Sequence, residues 1–472
     1  MSGFVGREKQ LATLGRMLER IRSRIGTETP GICLLMRGRR RVGKSRLVET
    51  FVERTGTAHI YFTASRQLRT ELELFAEAVI ESSLPNADIF GGTKLENWDA
   101  ALRLLNSVLP SDAPSIVVID EFPYLLEQDR GIEATFQKQW DRLLSRKPVL
   151  LILVGSDIAI MEALNTYDRA FYQRGTEMVI PPLSPVETAA IVGSPDAASA
   201  FDSFLITGGL PLICDEWSAG LSTWEYVTEA ISDSTSALIV SAERTLAAEF
   251  PVEAMARDVL GKIGSGETTF TNIARAAGGI NSASVSRALE ILVAKRIVTR
   301  ETPLSTKASK EARYRITDPY MSFWLTFVGP NLSEIERGRG DRVIERIKAT
   351  WPSWRGRVIE PIVREAISRL LPIEGLTGDV VGGYWTRTNI PEVDIIGADR
   401  SPVADSIAFS GSIKWHDNDV FSQGELNALA TATVQVPGAS ENTPLVAVSR
   451  TGFAPNLGAH CKLGPTELLS AW

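Results

Sequence analysis

The residues whose types and spacing could do chemistry open with Gly38-Arg39-Arg40-Arg41-Val42-Gly43-Lys44-Ser45, a complete G-x-x-x-x-G-K-S/T pattern. That spacing suits the holding of phosphate. Glycines let the backbone curl until its N–H groups point inward at phosphate oxygens. A helix that begins where the loop ends adds partial positive charge. Lys44 has the reach for β- and γ-phosphates, and the Ser45 hydroxyl is a ligand for Mg²⁺. Gly38, Arg39, Arg40, Arg41, Val42, Gly43, Lys44, Ser45 and Arg46 are therefore the candidate nucleotide contacts.

A second chemical group follows in Ser115-Ile116-Val117-Val118-Ile119-Asp120-Glu121, where two carboxylates end an apolar run. The C-terminal ends of strands are where ligands bind in an open α/β sheet. There Asp120 would hold Mg²⁺ through water, and Glu121 would orient and deprotonate an attacking water. Val149 to Val154 form another apolar run, followed by Gly155 and Ser156. Ser156 is placed to meet a γ-phosphate or the attacking water, although a plain strand-end turn fits it as well. Arg169 and Arg174 stand before a further short strand, Met178-Val179-Ile180. Either arginine could offset charge that develops on a transferring phosphoryl group. Arg174 is the preferred one.

The elements that must position these groups alternate along the chain. Gly31 to Met36 is apolar and reads as a buried strand, and Arg46 to Val52 after the loop has helical spacing. His59 to Thr63 reads as a strand, and Leu72 to Val79 as a helix. Before all of these, Phe4-Val5-Gly6-Arg7-Glu8 leads into a helix with Leu11, Leu14 and Leu18 on one side. This N-terminal turn could close over an adenine or simply dock the helix.

A chain of 472 residues should hold three or four domains, and its 44% hydrophobic and 23% charged content is that of an ordinary globular protein. A net charge of −7 argues against a basic nucleic-acid coat but allows a local basic face. Cys33, Cys214 and Cys461 show neither a disulfide framework nor zinc spacing, which suits a reducing compartment. The first residues lack the apolar core of a signal peptide, and no apolar run has the length to span a bilayer. A cytoplasmic protein with no membrane partner is expected.

Together, the phosphate loop, Ile119-Asp120-Glu121-Phe122-Pro123-Tyr124-Leu125, Leu153-Val154-Gly155-Ser156 and Pro182-Leu183-Ser184 resemble the archaeal-type AAA+ ATPases. These are P-loop NTPases near the signal-transducing STAND branch. The resemblance implies ATP as the nucleotide, Arg174 as the finger-like arginine and a helical lid. Gly209-Leu210-Pro211 is similar to the Gly-x-Pro motif of that lid, which makes Pro211 a further nucleotide contact. Family members commonly carry a second arginine beside the first, whereas Gly175 follows Arg174 here. No guanine-reading N/T-K-x-D motif is present.

Beyond the core, residues 186–248 read as helices and form the expected lid. Residues 249–332 change pattern: a helix from Val252 to Ile263, a second from Phe270, and a third from Ser282 to Leu292. Two short strands follow, Ile297 to Arg300 and Ala312 to Ile316. This is the order of a winged helix-turn-helix. The third helix would enter a major groove with Ser284 and Arg287, and the hairpin with Lys307 and Lys310 would touch the backbone. Residues 251–330 hold eleven Lys and Arg against seven Asp and Glu, a net +4 opposite in sign to the whole chain. Double-stranded DNA is thus the favoured partner, with a packing or protein-interaction role as the alternative. Asp318 to Phe327 is an aromatic segment suited to docking the next domain.

In residues 340–472, Glu360 on a helix, Asp394 in one strand and Lys414 in the next have the layout of a PD-(D/E)XK nuclease-like domain, in which such ATPases often end. Ser412 stands where that family has an acidic residue. A neutral hydroxyl is a poor ligand for a hard cation, so the domain is expected to be degenerate unless Asp417 or Glu392 substitutes. The expected architecture is α/β: a P-loop AAA+ core (1–185), a helical lid, a winged helix and a C-terminal nuclease-like domain. The expected function is a Mg²⁺-dependent ATPase switch that acts on DNA. The rivals are an ATP-regulated nuclease for defence or mobile DNA, and a STAND-like scaffold that assembles with itself or a protein partner.

Overall fold

Five segments, four of them rich in apolar residues, become the strands of one parallel sheet: β1 Ile32–Arg37, β2 Ala58–Thr63, β3 Ser115–Asp120, β4 Val149–Gly155 and β5 Gly175–Val179, in the order β2-β3-β4-β1-β5. The structure is a computed structural model and describes residues 5–65, 71–129, 131–167, 169, 171–250 and 255–472. Val252, the expected start of a helix, lies outside them. Every residue of β3 and β4 is buried, as near-continuous hydrophobic strands are when helices cover both faces of a sheet. The fifth strand begins at Gly175 rather than Met178, because β1 pairs along it from Cys33↔Gly175.

The helices of this part are α1 Glu8–Ser23, α2 Lys44–Thr55, α3 Glu71–Ile80, α4 Trp98–Val108, α5 Phe122–Gln128, α6 Gly131–Arg142 and α7 Ile158–Ala163. Helix α1 buries Leu11, Leu14, Leu18 and Ile21 at helical spacing. Trp98 packs among Phe62, Phe75 and Phe136 with ring centroids 5.2–5.9 Å apart. Such aromatic pairs add about 0.5–1.5 kcal/mol each beyond their buried area.

The chain divides into two compact units, Met1–Pro182 and Leu183–Trp472. The second begins with helices α8 Pro185–Val192, α9 Ala197–Thr207, α10 Pro211–Glu216, α11 Thr223–Ser232 and α12 Ala237–Glu249. Next come α13 Met255–Gly264, α14 Phe270–Ala276, α15 Ser282–Ala294 and an antiparallel ribbon of β6 Val298–Glu301 and β7 Arg313–Ile316. Then α16 Pro319–Phe323, α17 Leu332–Glu336, α18 Gly340–Val358 and α19 Glu360–Leu370 lead into a separate sheet. Its strands are β8 Val380–Trp385, β9 Glu392–Ala398, β10 Ile407–Lys414, β11 Leu445–Ser449 and β12 Cys461–Leu463, in the order β12-β11-β10-β9-β8. Strands β8, β9 and β10 are antiparallel, and α20 Gln423–Thr433 carries the chain across to a parallel β11. Helix α21 Pro465–Leu469 ends the chain.

Three contacts tie this second unit together. The aromatic segment docks back onto α12: Tyr320 Oη donates to Leu238 O at 2.9 Å, and Trp324 Nε1 donates to Ile239 O at 2.7 Å. Helix α9 is buried against the C-terminal region, with Asp202 accepting from Arg355 (3.3 Å) and Arg450 (2.7 Å), and Phe201 edge-on to Trp415 at 5.5 Å. The third contact is made by the β6–β7 connection, which the sequence presents as a polar segment joining two short strands. Leu304 is buried in the core cluster of the C-terminal sheet with Val393, Ile396 and Phe421. Leu304 N donates to Gly383 O (2.8 Å), Ala404 N to Ser305 O (3.0 Å) and Thr306 N to Pro437 O (3.1 Å). Burial of Leu304 and pairing of its neighbours' backbone outweigh the polarity of the loop. Only its far part, including Lys307 and Lys310, stays exposed.

Candidate nucleotide site

The phosphate loop joins β1 to α2. A Cβ at Gly38 would lie 2.4 Å from the carbonyl oxygen of Ile180, so only glycine fits there. Arg41 (φ 67°) and Gly43 (φ 84°) both take left-handed backbone. At Arg41 this costs about 1 kcal/mol, a strain typical of ligand-binding loops. Gly43 caps α2 without a side-chain acceptor, which leaves the first N–H groups of a 12-residue helix available to an anion.

Lys44 is buried, and its Nζ donates to Gly38 O (2.9 Å), Arg39 O (2.9 Å) and Ser156 Oγ (3.1 Å). Burial pulls its pKa down to about 8, against the upward pull of Glu121 and Asp120. Ser156 in turn donates to Glu121 Oε1 at 2.6 Å. Glu121 caps α5 from left-handed backbone (φ 52°). Asp120 is buried at the end of β3. Its Oδ1 accepts from Glu121 N (2.8 Å), and its Oδ2 accepts from Ser45 Oγ (2.6 Å) and Tyr61 Oη (2.9 Å). Lys44, Ser45, Asp120, Glu121 and Ser156 thus meet at the C-terminal ends of β1, β3 and β4.

Two buried or half-buried neighbours were not legible as site residues. Tyr61 reaches Asp120 from β2. Arg7 is 3% exposed, and its guanidinium donates to Val42 O at 2.9 Å, which ties the N-terminal turn to the loop. An arginine between a glycine and an amphipathic helix was the available signal for Arg7. Arg40 reaches Tyr124 Oη at 3.1 Å, and Arg46 pairs with Glu49 at 3.6 Å.

Hard oxygen donors suit Mg²⁺, which takes one or two carboxylate or hydroxyl ligands and completes its shell with phosphates and water. Ser45 Oγ and Asp120 Oδ2, adjacent at 2.6 Å, fit that requirement.

The other candidate residues lie apart from this group or in the second unit. Arg174 sits in the turn before β5 with Nε on Asp141 Oδ1 at 2.9 Å, and Arg169 pairs with Glu133. Pro211 opens α10 after Gly208 (φ 60°) and Gly209 (φ 65°). A Cβ at Gly209 would lie 2.1 Å from Leu183 O, so the motif is a tightly packed turn. On α15, Ser284 is half-buried and Arg287 exposed.

In the C-terminal sheet, Glu360, Asp394 and Ser412 do come together, with an arginine among them. Asp394 Oδ2 accepts from Ser412 Oγ (2.9 Å) and Ile413 N (2.8 Å). Arg364 donates to Asp394 O (2.7 Å) and Glu360 Oε2 (3.1 Å) and lies 3.5 Å from Glu301. Burial raises the Glu360 pKa to about 7; Arg364 opposes the rise and Asp394 adds to it. The two carboxylates that could in principle substitute for the missing acid are paired with arginines. Glu392 pairs with Arg313 at 2.6 Å, and Asp417 with Arg355 at 2.8 Å and Arg450 at 3.0 Å. Lys414 is half-buried at the end of β10. Among the described residues, no three His, Cys, Asp or Glu side chains are grouped to hold a metal ion.

The phosphate loop after β1, the acidic pair after β3 and the insertion of β4 between those strands define a P-loop core of AAA+ type. A separate C-terminal sheet domain lies in the second unit. A family model described as archaeal and bacterial proteins of unknown function, DUF234, matches residues 324–427. The chain is 26% identical over 422 residues to the uncharacterized protein MJECL04 of Methanocaldococcus jannaschii, covering 88% of each chain. Among solved structures it is similar to the Walker-type ATPase paby2304 of Pyrococcus abyssi, at 19% identity and a TM-score of 0.47 over 68% of this chain and 96% of that one. It is also similar to the Aeropyrum pernix ORC2 protein in its ADPNP-ADP complexes, at 14% identity and a TM-score of 0.46 over 74% of this chain and 98% of that one. No helix among the described residues is long and apolar enough to cross a membrane.

Proposed function

We propose that the protein is a Mg²⁺-dependent ATPase that works as a nucleotide switch. The observation that carries this is the connected pair of hydrogen-bond chains, Lys44–Ser156–Glu121 and Ser45–Asp120, at the mouth of the phosphate loop. Lys44 and the N–H groups of the loop bind the β- and γ-phosphates. Glu121 takes a proton from the water that attacks the γ-phosphorus, and the bond to the β-phosphate oxygen breaks, releasing ADP and phosphate. Mg²⁺, when bound beside Ser45 and Asp120, neutralises phosphate charge. Arg174 acts as the finger-like arginine once it leaves Asp141, on its own nucleotide or a neighbour's.

Helices α8–α12 read as the lid, with Pro211 as its candidate nucleotide contact. Because Asp202 of α9 is bound by Arg355 and Arg450, a shift of the lid would carry the C-terminal sheet domain with it. Helices α13–α15 read as a winged-helix module that contacts duplex DNA through the exposed side of α15, with Arg287, and through Lys307 and Lys310. The C-terminal domain reads as a degenerate PD-(D/E)XK fold that does not cleave. The guanidinium of Arg364, bound to Glu360 Oε2 and the Asp394 carbonyl, already supplies positive charge beside Glu360.

The test is ATP turnover with and without duplex DNA, with Lys44→Ala as control. Turnover abolished in Lys44→Ala supports the reading. Equal turnover in wild type and Lys44→Ala would place the activity elsewhere. Stimulation by duplex DNA supports the coupling, and indifference to DNA would turn the switch toward a protein partner.

A further inference from the structure

A second hydroxyl, that of Tyr61, joins the Ser45–Asp120 pair. Asp120 Oδ2 accepts from two donors, Ser45 Oγ at 2.6 Å and Tyr61 Oη at 2.9 Å, and Oδ1 accepts from Glu121 N at 2.8 Å. Three donors from three segments therefore fix both oxygens of one carboxylate. The register explains why a tyrosine is needed. Tyr61 of β2 lies opposite Val118 of β3, and Thr63 lies opposite Asp120. Tyr61 is thus one diagonal step from Asp120 on the same face of the sheet. From there the long phenol side chain reaches the carboxylate, whereas the short side chain of serine or threonine would fall short.

The chemistry of the donor matters as well. Ser45 would have another task in a loaded site, as a ligand for Mg²⁺, besides donating its proton to Asp120. The Tyr61 hydroxyl, by contrast, donates to Asp120 Oδ2 from a neighbouring strand and holds that carboxylate. Partners of this kind orient a metal-binding carboxylate, and their loss commonly costs 10–100-fold in metal affinity.

We propose that Tyr61 is a positioning residue that sets the Mg²⁺ requirement of nucleotide binding by holding the Asp120 carboxylate. The inference rests on the nucleotide reading above and adds a residue outside the phosphate loop and the acidic pair.

The experiment measures the affinity of wild type and Tyr61→Phe for a fluorescent ATP analogue, in EDTA and across a Mg²⁺ titration. Thermal unfolding without nucleotide is followed in parallel. The phenylalanine variant keeps the ring and removes only the hydroxyl. Its affinity in EDTA should stay within about twofold of wild type, while the Mg²⁺ concentration for half-maximal enhancement rises about tenfold. An unchanged Mg²⁺ requirement in Tyr61→Phe would overturn the proposal. Tyr61→Leu separates packing from positioning: a raised Mg²⁺ requirement in Tyr61→Leu but not in Tyr61→Phe would assign the effect to the ring and overturn the proposal too. If wild type bound no nucleotide at all, with or without Mg²⁺, the nucleotide reading itself would fall. That result differs from a wild type that binds normally and a Tyr61→Phe variant that matches it.

Discussion

Ser156 donates its hydroxyl proton to Glu121 Oε1 at 2.6 Å, and the same oxygen of Ser156 receives Lys44 Nζ at 3.1 Å. One hydroxyl thus connects the proposed phosphate-binding cation to the proposed base. Before nucleotide arrives, Lys44 is satisfied by two carbonyls and this hydroxyl, and Glu121 is held in place by Ser156. A phosphate would compete for Lys44 and leave Ser156 to hold Glu121 alone.

Ser156→Ala should therefore reduce turnover more than binding. Lys44 keeps its other acceptors, so nucleotide affinity should change by no more than a few-fold. Turnover should fall by roughly 10²-fold, the scale at which a mispositioned general base loses its effect. Parallel steady-state kinetics and equilibrium binding check this. Wild-type turnover in Ser156→Ala would show that Glu121 needs no such anchor.

Affinity for nucleotide should fall at alkaline pH. Burial lowers the Lys44 pKa to about 8 in the free protein. Bound phosphates, being negative, raise it again, so binding above pH 8 must take up a proton. Affinity should be flat below about pH 8 and fall toward tenfold per pH unit above it. Binding of an ATP analogue from pH 6.5 to 9.5 measures this. A flat profile through pH 9.5 would mean that Lys44 stays charged in the free protein.

Leu304→Ala should destabilise the second unit by about 2–4 kcal/mol, the usual cost of truncating a buried leucine. A solvent-exposed wing tip would lose almost nothing. Chemical denaturation with a probe among the tryptophans of this unit distinguishes the two, and a change below about 0.5 kcal/mol would contradict the docked position of the ribbon connection.

Glu360 gives a pH-dependent test of the C-terminal cluster. Its folded pKa, about 7, lies above the ordinary value of 4.5. The native state therefore binds more protons than the unfolded state between these values. The contribution of Glu360 is fully present below about pH 4.5 and is lost as pH rises through 7. Glu360→Gln, which mimics the neutral acid and still accepts from Arg364, should melt higher than wild type at pH 8. The gap should close near pH 5. A variant that melts lower than wild type at pH 8 would mean that the ion pair with Arg364 outweighs desolvation.

How much of this was legible in the sequence differs from element to element. Strands β3 and β4 were readable because every residue in them is buried, which leaves continuous apolar runs. The start of β5 was not, because its early residues Thr176 and Glu177 are exposed at a sheet edge and owe their strand geometry to β1. The phosphate-loop pattern was readable from spacing, and Asp120-Glu121 from its place at the end of an apolar run taken together with that loop. Their partners were not: Lys44–Ser156, Tyr61–Asp120 and Arg7–Val42 span 112, 59 and 35 residues, and only the sheet order brings them together. Leu304 was hidden for a different reason. A single apolar residue in a polar connection carries no periodicity, so its burial depends on a surface built about 80 residues later, such as Gly383.

The most direct test of the central claim compares wild type with Glu121→Gln for ATP-analogue binding and single-turnover hydrolysis in Mg²⁺. Glutamine keeps the shape of the side chain and its hydrogen bond from Ser156 but cannot take the proton. The account predicts that Glu121→Gln binds nucleotide as tightly as wild type, within a few-fold, while hydrolysis falls by 10²-fold or more. Unchanged hydrolysis in Glu121→Gln would contradict it.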